Sequence, residues 1–299
     1  MKWRDRRKSS NVGKSTSSRS SSPFGSSGRG MSIPMGGGIG GIVIVIILFF
    51  LTRGFGGLDS PGQSPGVVDG NNDYQQDSQY QELDTELEQF LAVVLADSED
   101  VWNAIFADAG LSYEEPMLIL YDGTVNTACG QGSSQMGPFY CPADERVYMD
   151  PTFYYELRDK HDAPGDFALA YVLAHEVGHH VQYLLGITEQ IFDLKARMPE
   201  EEFNRYLVRL ELQADYLAGV FAHYADDKDY LDVGDIEEAM NAAAAVGDDT
   251  IQSKAWGMVV PDKFTHGTAA QRQSWFNRGY QYGDLAHGDT FSESIEQLT

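Results

Sequence analysis

The stretch DFALAYVLAHEVGHHVQYLL, residues 166–185, decides how this chain is read. Its apolar residues recur with helical spacing, and Asp166 stands where a helix cap belongs. Inside it lies His175-Glu176-Val177-Gly178-His179, an H-E-x-x-H. Residues four apart on a helix share one face, so both imidazoles can reach one zinc ion. Glu176 projects in another direction, toward a water beside the metal, where a carboxylate can take a proton.

A zinc that does chemistry needs a third protein ligand and one open position. No histidine follows at the short spacing of the three-histidine type, where Gly186 and Ile187 stand instead. A glutamate from a later helix is the alternative, and Glu211 in Arg209-Leu-Glu-Leu-Gln-Ala-Asp215 is the candidate. Most glutamates lie on solvated helix faces. Glu211 sits among Leu207, Val208, Leu210, Leu212, Ala214 and Leu217, where an unpartnered charge is expensive. Asp215, four residues on, shares its face and is placed to accept the free ring N–H of a ligand histidine. One zinc per chain is the expected cofactor.

Other histidines carry weaker signals. His266 opens His-Gly-Thr-Ala-Ala-Gln-Arg, with Thr268 as a helix cap. It either donates to the oxyanion of a transition state or braces the helix end. His180 points about 100° away from His179 and reads as packing or solvent. His161, His223 and His287 have no special claim.

Outward from the motif, the pattern from Pro151 onward is helical: roughly 166–185, 199–224, 235–245 and 268–282. Before it come helical stretches near 83–95 and 102–106, a strand at 116–121, a Gly/Ser-rich loop over 123–138 and a strand at 146–149. That order gives an α+β fold, mostly helical with a small β-sheet. Val147-Tyr148-Met149 is a strand to which an extended peptide substrate can add.

The first third is different. Residues 1–53 carry a net charge of +8 and residues 54–299 a net of −32, for −24 overall. That balance argues against a nucleic-acid partner, which needs a basic face. No charged residue lies between Arg29 and Arg53, and Ile42–Leu51 is continuously apolar. The expectation is one N-terminal transmembrane helix at 33–53. A cleaved signal peptide is the rival, opposed by the long basic region and the lack of an Ala-x-Ala site. The expected organisation is a basic disordered cytoplasmic tail (1–32), the anchor (33–53), a flexible linker (54–80) and a metallopeptidase domain (81–299). The positive-inside rule then puts the N-terminus in the cytoplasm of a single-pass cell-membrane protein and the domain outside. Outside the cytoplasm, Cys129 and Cys141 are expected to be bonded.

The chain resembles the bacterial putative neutral zinc metallopeptidase family. The matching stretches are MKWRDRR, MGPFYCPADERVYMDPTFYYEL, LAHEVGHHVQ, RLELQADYLAG and THGTAAQRQSWFNRGY. The resemblance implies a zincin-like domain behind a single anchor, similar to gluzincins in taking a distal glutamate. It implies His175, His179 and Glu211 as ligands and Glu176 as base. The family's NV-x-D-R-R-G segment is altered here, where Asn11-Val12 runs into Gly13-Lys14 and serines.

The expected function is therefore zinc-dependent endopeptidase action on extracytoplasmic protein or peptide, with Glu176 as general base. Two readings compete: a non-catalytic, membrane-tethered zinc-containing binding module, and a zinc hydrolase acting on something other than peptide. Oligomeric state is left open by the sequence.

Overall fold

The computed structural model describes residues 1–15, 85–292 and 298. A four-stranded sheet has the order β1-β2-β6-β5, where β1 is Val12–Lys14, β2 Met117–Leu120, β5 Phe139–Cys141 and β6 Arg146–Met149. β1 and β6 flank β2 in parallel, and β5 runs antiparallel to β6 at the edge. Side chains alternate across a strand. Leu118 and Leu120 accordingly enter the main core, while Ile119 joins Tyr121, Val125, Phe139 and Tyr148 in a smaller one on the other face. A hairpin of β3 (Thr124–Thr127) and β4 (Gly130–Ser133) covers that second core. The Cys129–Cys141 disulfide ties the hairpin turn to β5. The order also corrects one expectation. β6, with Val147-Tyr148-Met149, is interior between β2 and β5 and has no free edge for a peptide; the edge strand on its side of the sheet is β5.

The helices are α1 (Glu86–Asp108), α2 (Phe153–Asp159), α3 (Asp166–Leu184), α4 (Ile187–Phe192), α5 (Glu200–Asp227), α6 (Asp235–Ala245), α7 (Asp248–Trp256) and α8 (Ala269–Tyr282). α1 is one continuous helix where the sequence suggested two. Between the two stretches, Asp97, Glu99 and Asp100 are paired from outside the helix by Arg6 and Arg7. α3 is buried along nearly its whole length; α5 and α6 pack beside it, and α8 packs on α5. Gly178, inside the metal motif, permits that approach. A Cβ there would stand 3.1 Å from the Ala214 carbonyl oxygen on α5.

The N-terminal residues overturn the expected topology. The Met1 ammonium lies 2.7 Å from Asp166 and 3.2 Å from Asp235. Arg6 pairs with Asp97, Arg7 bonds Glu99 at 3.0 Å and Asp100 at 2.7 Å, and Lys14 reaches Glu88 at 2.9 Å. Val12–Lys14 then add a strand to the sheet. A cytoplasmic N-terminus with the domain on the far side of a membrane is excluded by these contacts. The expected anchor at 33–53 and linker at 54–80 lie outside the described residues. Among the described residues no helix is long and apolar enough to cross a membrane. The fold class is thus α+β, mostly helical with small sheets, and the expected single-pass transmembrane helix is not supported. In sequence Arg6 and Arg7 of the basic run stand apart from their acidic partners on α1, which lie 91 to 93 residues away.

Candidate metal centre

α3 presents His175 and His179 on one face, and α5 delivers Glu211 opposite them. Glu211 divides its carboxylate between the pair: Oε2 is 3.2 Å from His175 Nε2 and Oε1 is 3.6 Å from His179 Nε2. Their ligand atoms all lie within 4.8 Å of one another, and all three residues are buried. Two buried imidazoles and one buried carboxylate that converge are a donor set that suits zinc, whose catalytic sites take three protein ligands and keep a fourth position for water.

The ring nitrogens facing away are already engaged. His175 Nδ1 meets Asp215 Oδ1 at 2.9 Å. His179 Nδ1 meets Gln182 Oε1 at 2.9 Å. The Gln182 amide is oriented in turn, since its Nε2 donates to the Leu210 carbonyl at 2.7 Å and to Gln213 at 3.1 Å. Both acceptors therefore hold the hydrogen on Nδ1 and leave Nε2 free for a metal.

Electrostatics follow from this packing. Burial opposes charge on His175, but Asp215 and Glu211 outweigh it and raise its pKa to about 9. His179 is raised likewise, with Glu211 overcoming burial. Burial would push Glu211 up, yet the two histidines hold it well below the usual carboxylate range. Asp215 is also held down against burial, by Arg272 and His175. Glu176 goes the other way. Burial raises its pKa, partly offset by the two histidines and by a hydrogen bond from the Tyr140 backbone on β5. A carboxylate with a raised pKa beside a metal pocket is suited to accept a proton.

His266 sits in the loop before α8. Its Nδ1 is 3.1 Å from Asp248 Oδ1, and its charge acts on Glu211. The other oxygen of Asp248 accepts from the backbone N–H groups of Thr265, His266 and Gly267. Thr268 caps α8 in a reciprocal pair with Gln271. His180 is turned away from the centre, into a structural contact with Tyr140 and Glu114. A second acidic group, Asp166, Asp235 and Glu238, also converges, but the Met1 ammonium lies against it.

Sequence reasoning missed Gln182, Asp248, Arg272 and Tyr171. Gln182 had a local signal, because it lies three residues past His179 on the same helix. Asp248 and Arg272 reach the site from distant segments, and nothing local to either points to its partner.

Comparison with known proteins places the chain in a family. A protein from Escherichia coli (strain K12), described as "Uncharacterized protein YpfJ", is 45% identical over 99% of this chain and 100% of its own length. One from Mycobacterium tuberculosis (strain ATCC 25618 / H37Rv), described as "Uncharacterized protein Rv2575", is 43% identical over 64% of this chain and 66% of its own. No solved structure matches. The family described as "Putative neutral zinc metallopeptidase" matches residues 1–291, so it takes in β1, the metal motif, Glu211 and the His266 loop together. With that span and that identity, the chain belongs to the putative neutral zinc metallopeptidase family.

Proposed function

We propose that the chain is a zinc-dependent endopeptidase acting on protein or peptide. The observation that carries this reading is the convergence of His175, His179 and Glu211 with a buried Glu176 beside them. A bound zinc would polarise the scissile carbonyl and acidify a water. The chain's own residues do the rest. Glu176 accepts a proton from the attacking water and returns it to the leaving amine. Asp215 and Gln182 keep both ligand imidazoles in one tautomer and orientation.

Substrate positioning falls to β5. Among the described residues no strand pairs with its outer edge, and the Tyr140 backbone hydrogen-bonds Glu176. An extended peptide adding to that edge would lay its backbone across the centre. His266 is assigned as the donor to the oxyanion. Asp248 engages Nδ1, so donation to the oxyanion is made from Nε2 and requires a hydrogen on both ring nitrogens.

The test uses the full chain loaded with zinc and a mixed peptide library, set against Glu176→Gln. Cleavage by the first and none by the second supports the reading and reveals the preferred bond. Equal cleavage by both removes Glu176 from its role. No cleavage by either, with one zinc bound, favours a zinc-containing binding module.

A further inference from the structure

Arg272 occupies the middle of a buried cluster behind the metal centre. Its side chain is 4% exposed and that of Asp215 is 0%. Nε donates to Asp215 Oδ2 at 2.8 Å and Nη2 to Oδ1 at 2.9 Å, a two-pronged grip on the carboxylate. Nη2 also reaches the Tyr171 hydroxyl at 3.2 Å, and Nη1 donates to the Val246 carbonyl at 3.3 Å. The Tyr171 hydroxyl donates to Asp215 Oδ1 at 2.5 Å. That same Oδ1 holds His175 Nδ1.

We propose that Arg272, with Tyr171, is a positioning residue of the metal centre, fixing the carboxylate that fixes His175 and so setting metal affinity from outside the ligand set. The inference rests on the metal-centre reading above. Three physical arguments carry it. A lone buried carboxylate is costly, so Asp215 needs a charged partner in place. The planar guanidinium meets both carboxylate oxygens at once, which a lysine cannot do, so it sets orientation as well as charge. The cluster is also asymmetric. His175 is held through an ionic pair, whereas His179 is held by the neutral Gln182. The ionic arm comes from α8, six residues past His266, so one helix serves both the His175 side of the centre and the His266 loop.

The test measures zinc affinity of the full chain by competition with a chromophoric chelator at fixed pH, together with thermal unfolding of the metal-free protein. Arg272→Gln should weaken zinc binding by about 10–100-fold, the usual consequence of losing an outer partner. Arg272→Lys should recover part of that loss. Tyr171→Phe removes one hydroxyl without changing shape, and should weaken zinc by about 3–10-fold, at the mild end of the same effect. It decides the matter if the arginine variants fail to fold. Wild-type zinc affinity in Tyr171→Phe and in any folded Arg272 variant, with lowered metal-free stability, would make Arg272 a brace between helices and overturn the proposal. If the wild-type chain itself binds no zinc, the metal-centre reading fails and this inference falls with it.

Discussion

His180 stands directly after the metal motif, yet its ring bolts α3 to the edge strand: Nδ1 lies 2.9 Å from the Tyr140 hydroxyl and Nε2 2.6 Å from the Glu114 carbonyl. With the carbonyl as acceptor, Nε2 carries the hydrogen and Nδ1 accepts from Tyr140. This contact holds β5 against the helix that carries Glu176. Tyr140→Phe keeps the ring and removes the donor. It should cost about 1–2 kcal/mol, because a buried Nδ1 loses its partner. Zinc content should stay at wild type while peptide cleavage falls, read as kcat/KM on one reporter peptide. Unchanged cleavage would separate β5 from substrate positioning.

Glu211 and Glu176 should fail in opposite ways. Glu211→Ala takes a carboxylate from between two imidazoles whose pKa values it raises. Zinc affinity should fall by more than the ~10–100-fold typical of losing an outer partner. Glu176→Gln preserves size, leaves the three ligands in place, and should retain one zinc per chain. Metal analysis after gel filtration checks both. Stoichiometric zinc in Glu211→Ala would sink its assignment as ligand.

Arg6 provides a test with a pH signature. It pairs with Asp97 on α1 and lies over the Tyr230 ring, 3.2 Å from its centroid. Burial raises the Asp97 pKa from 3.8 to about 6, even with Arg6 opposing. An acid whose folded pKa is raised stabilises the fold at low pH and loses that contribution as pH climbs from about 4 to 6. Arg6→Ala removes the opposing charge and moves the folded pKa higher still. At pH 5.5 Asp97 is then protonated and the substitution costs little through it. At pH 8 the chain must bury an unpaired carboxylate, at a cost of about 3 kcal/mol. Urea unfolding at the two pH values measures the difference. An equal loss at both would assign the contribution of Arg6 to its ring contact instead.

The helical half of the fold was legible because its signals are local. Apolar spacing marked α3, α5, α6 and α8 within a few residues of their bounds, and Thr268 marked the start of α8 by its own capping chemistry. The three residues that converge at the candidate metal site were legible for the same reason: His175 and His179 are one turn apart, and Glu211 stood out as a charge in an apolar helix. What was not legible depends on distant pairing. Arg6 and Arg7 look like a topology signal until Asp97 and Glu99 are seen beside them. β6 looks like any short strand until β5 takes its edge. Asp248 declares itself only when His266, eighteen residues on, folds against it.

The crossing of α5 and α8 supplies the last prediction. Gly219 and Gly279 face each other there, and a Cβ on Gly219 would fall 2.0 Å from the Phe276 carbonyl oxygen. A Cβ on Gly279 would fall 1.9 Å from that of Tyr216. These clashes are with backbone, so a side-chain rotation cannot relieve them. Gly219→Ala must push the helices apart, at a cost of about 3 kcal/mol or more by analogy with overpacked cores. Asp215 sits one turn before Gly219 on α5, and Arg272 nearly two turns before Gly279 on α8. Their 2.8 Å contact spans the gap that would widen. Gly219→Ala should therefore lower both the melting temperature and zinc affinity, although it touches no ligand. Gly234→Ala is the control: its added Cβ meets nothing within 4 Å, so its positive φ of 105° brings local strain only. It should lower stability and leave zinc affinity alone. If Gly219→Ala melts early but binds zinc as tightly as wild type, the spacing of α5 and α8 does not reach the metal centre.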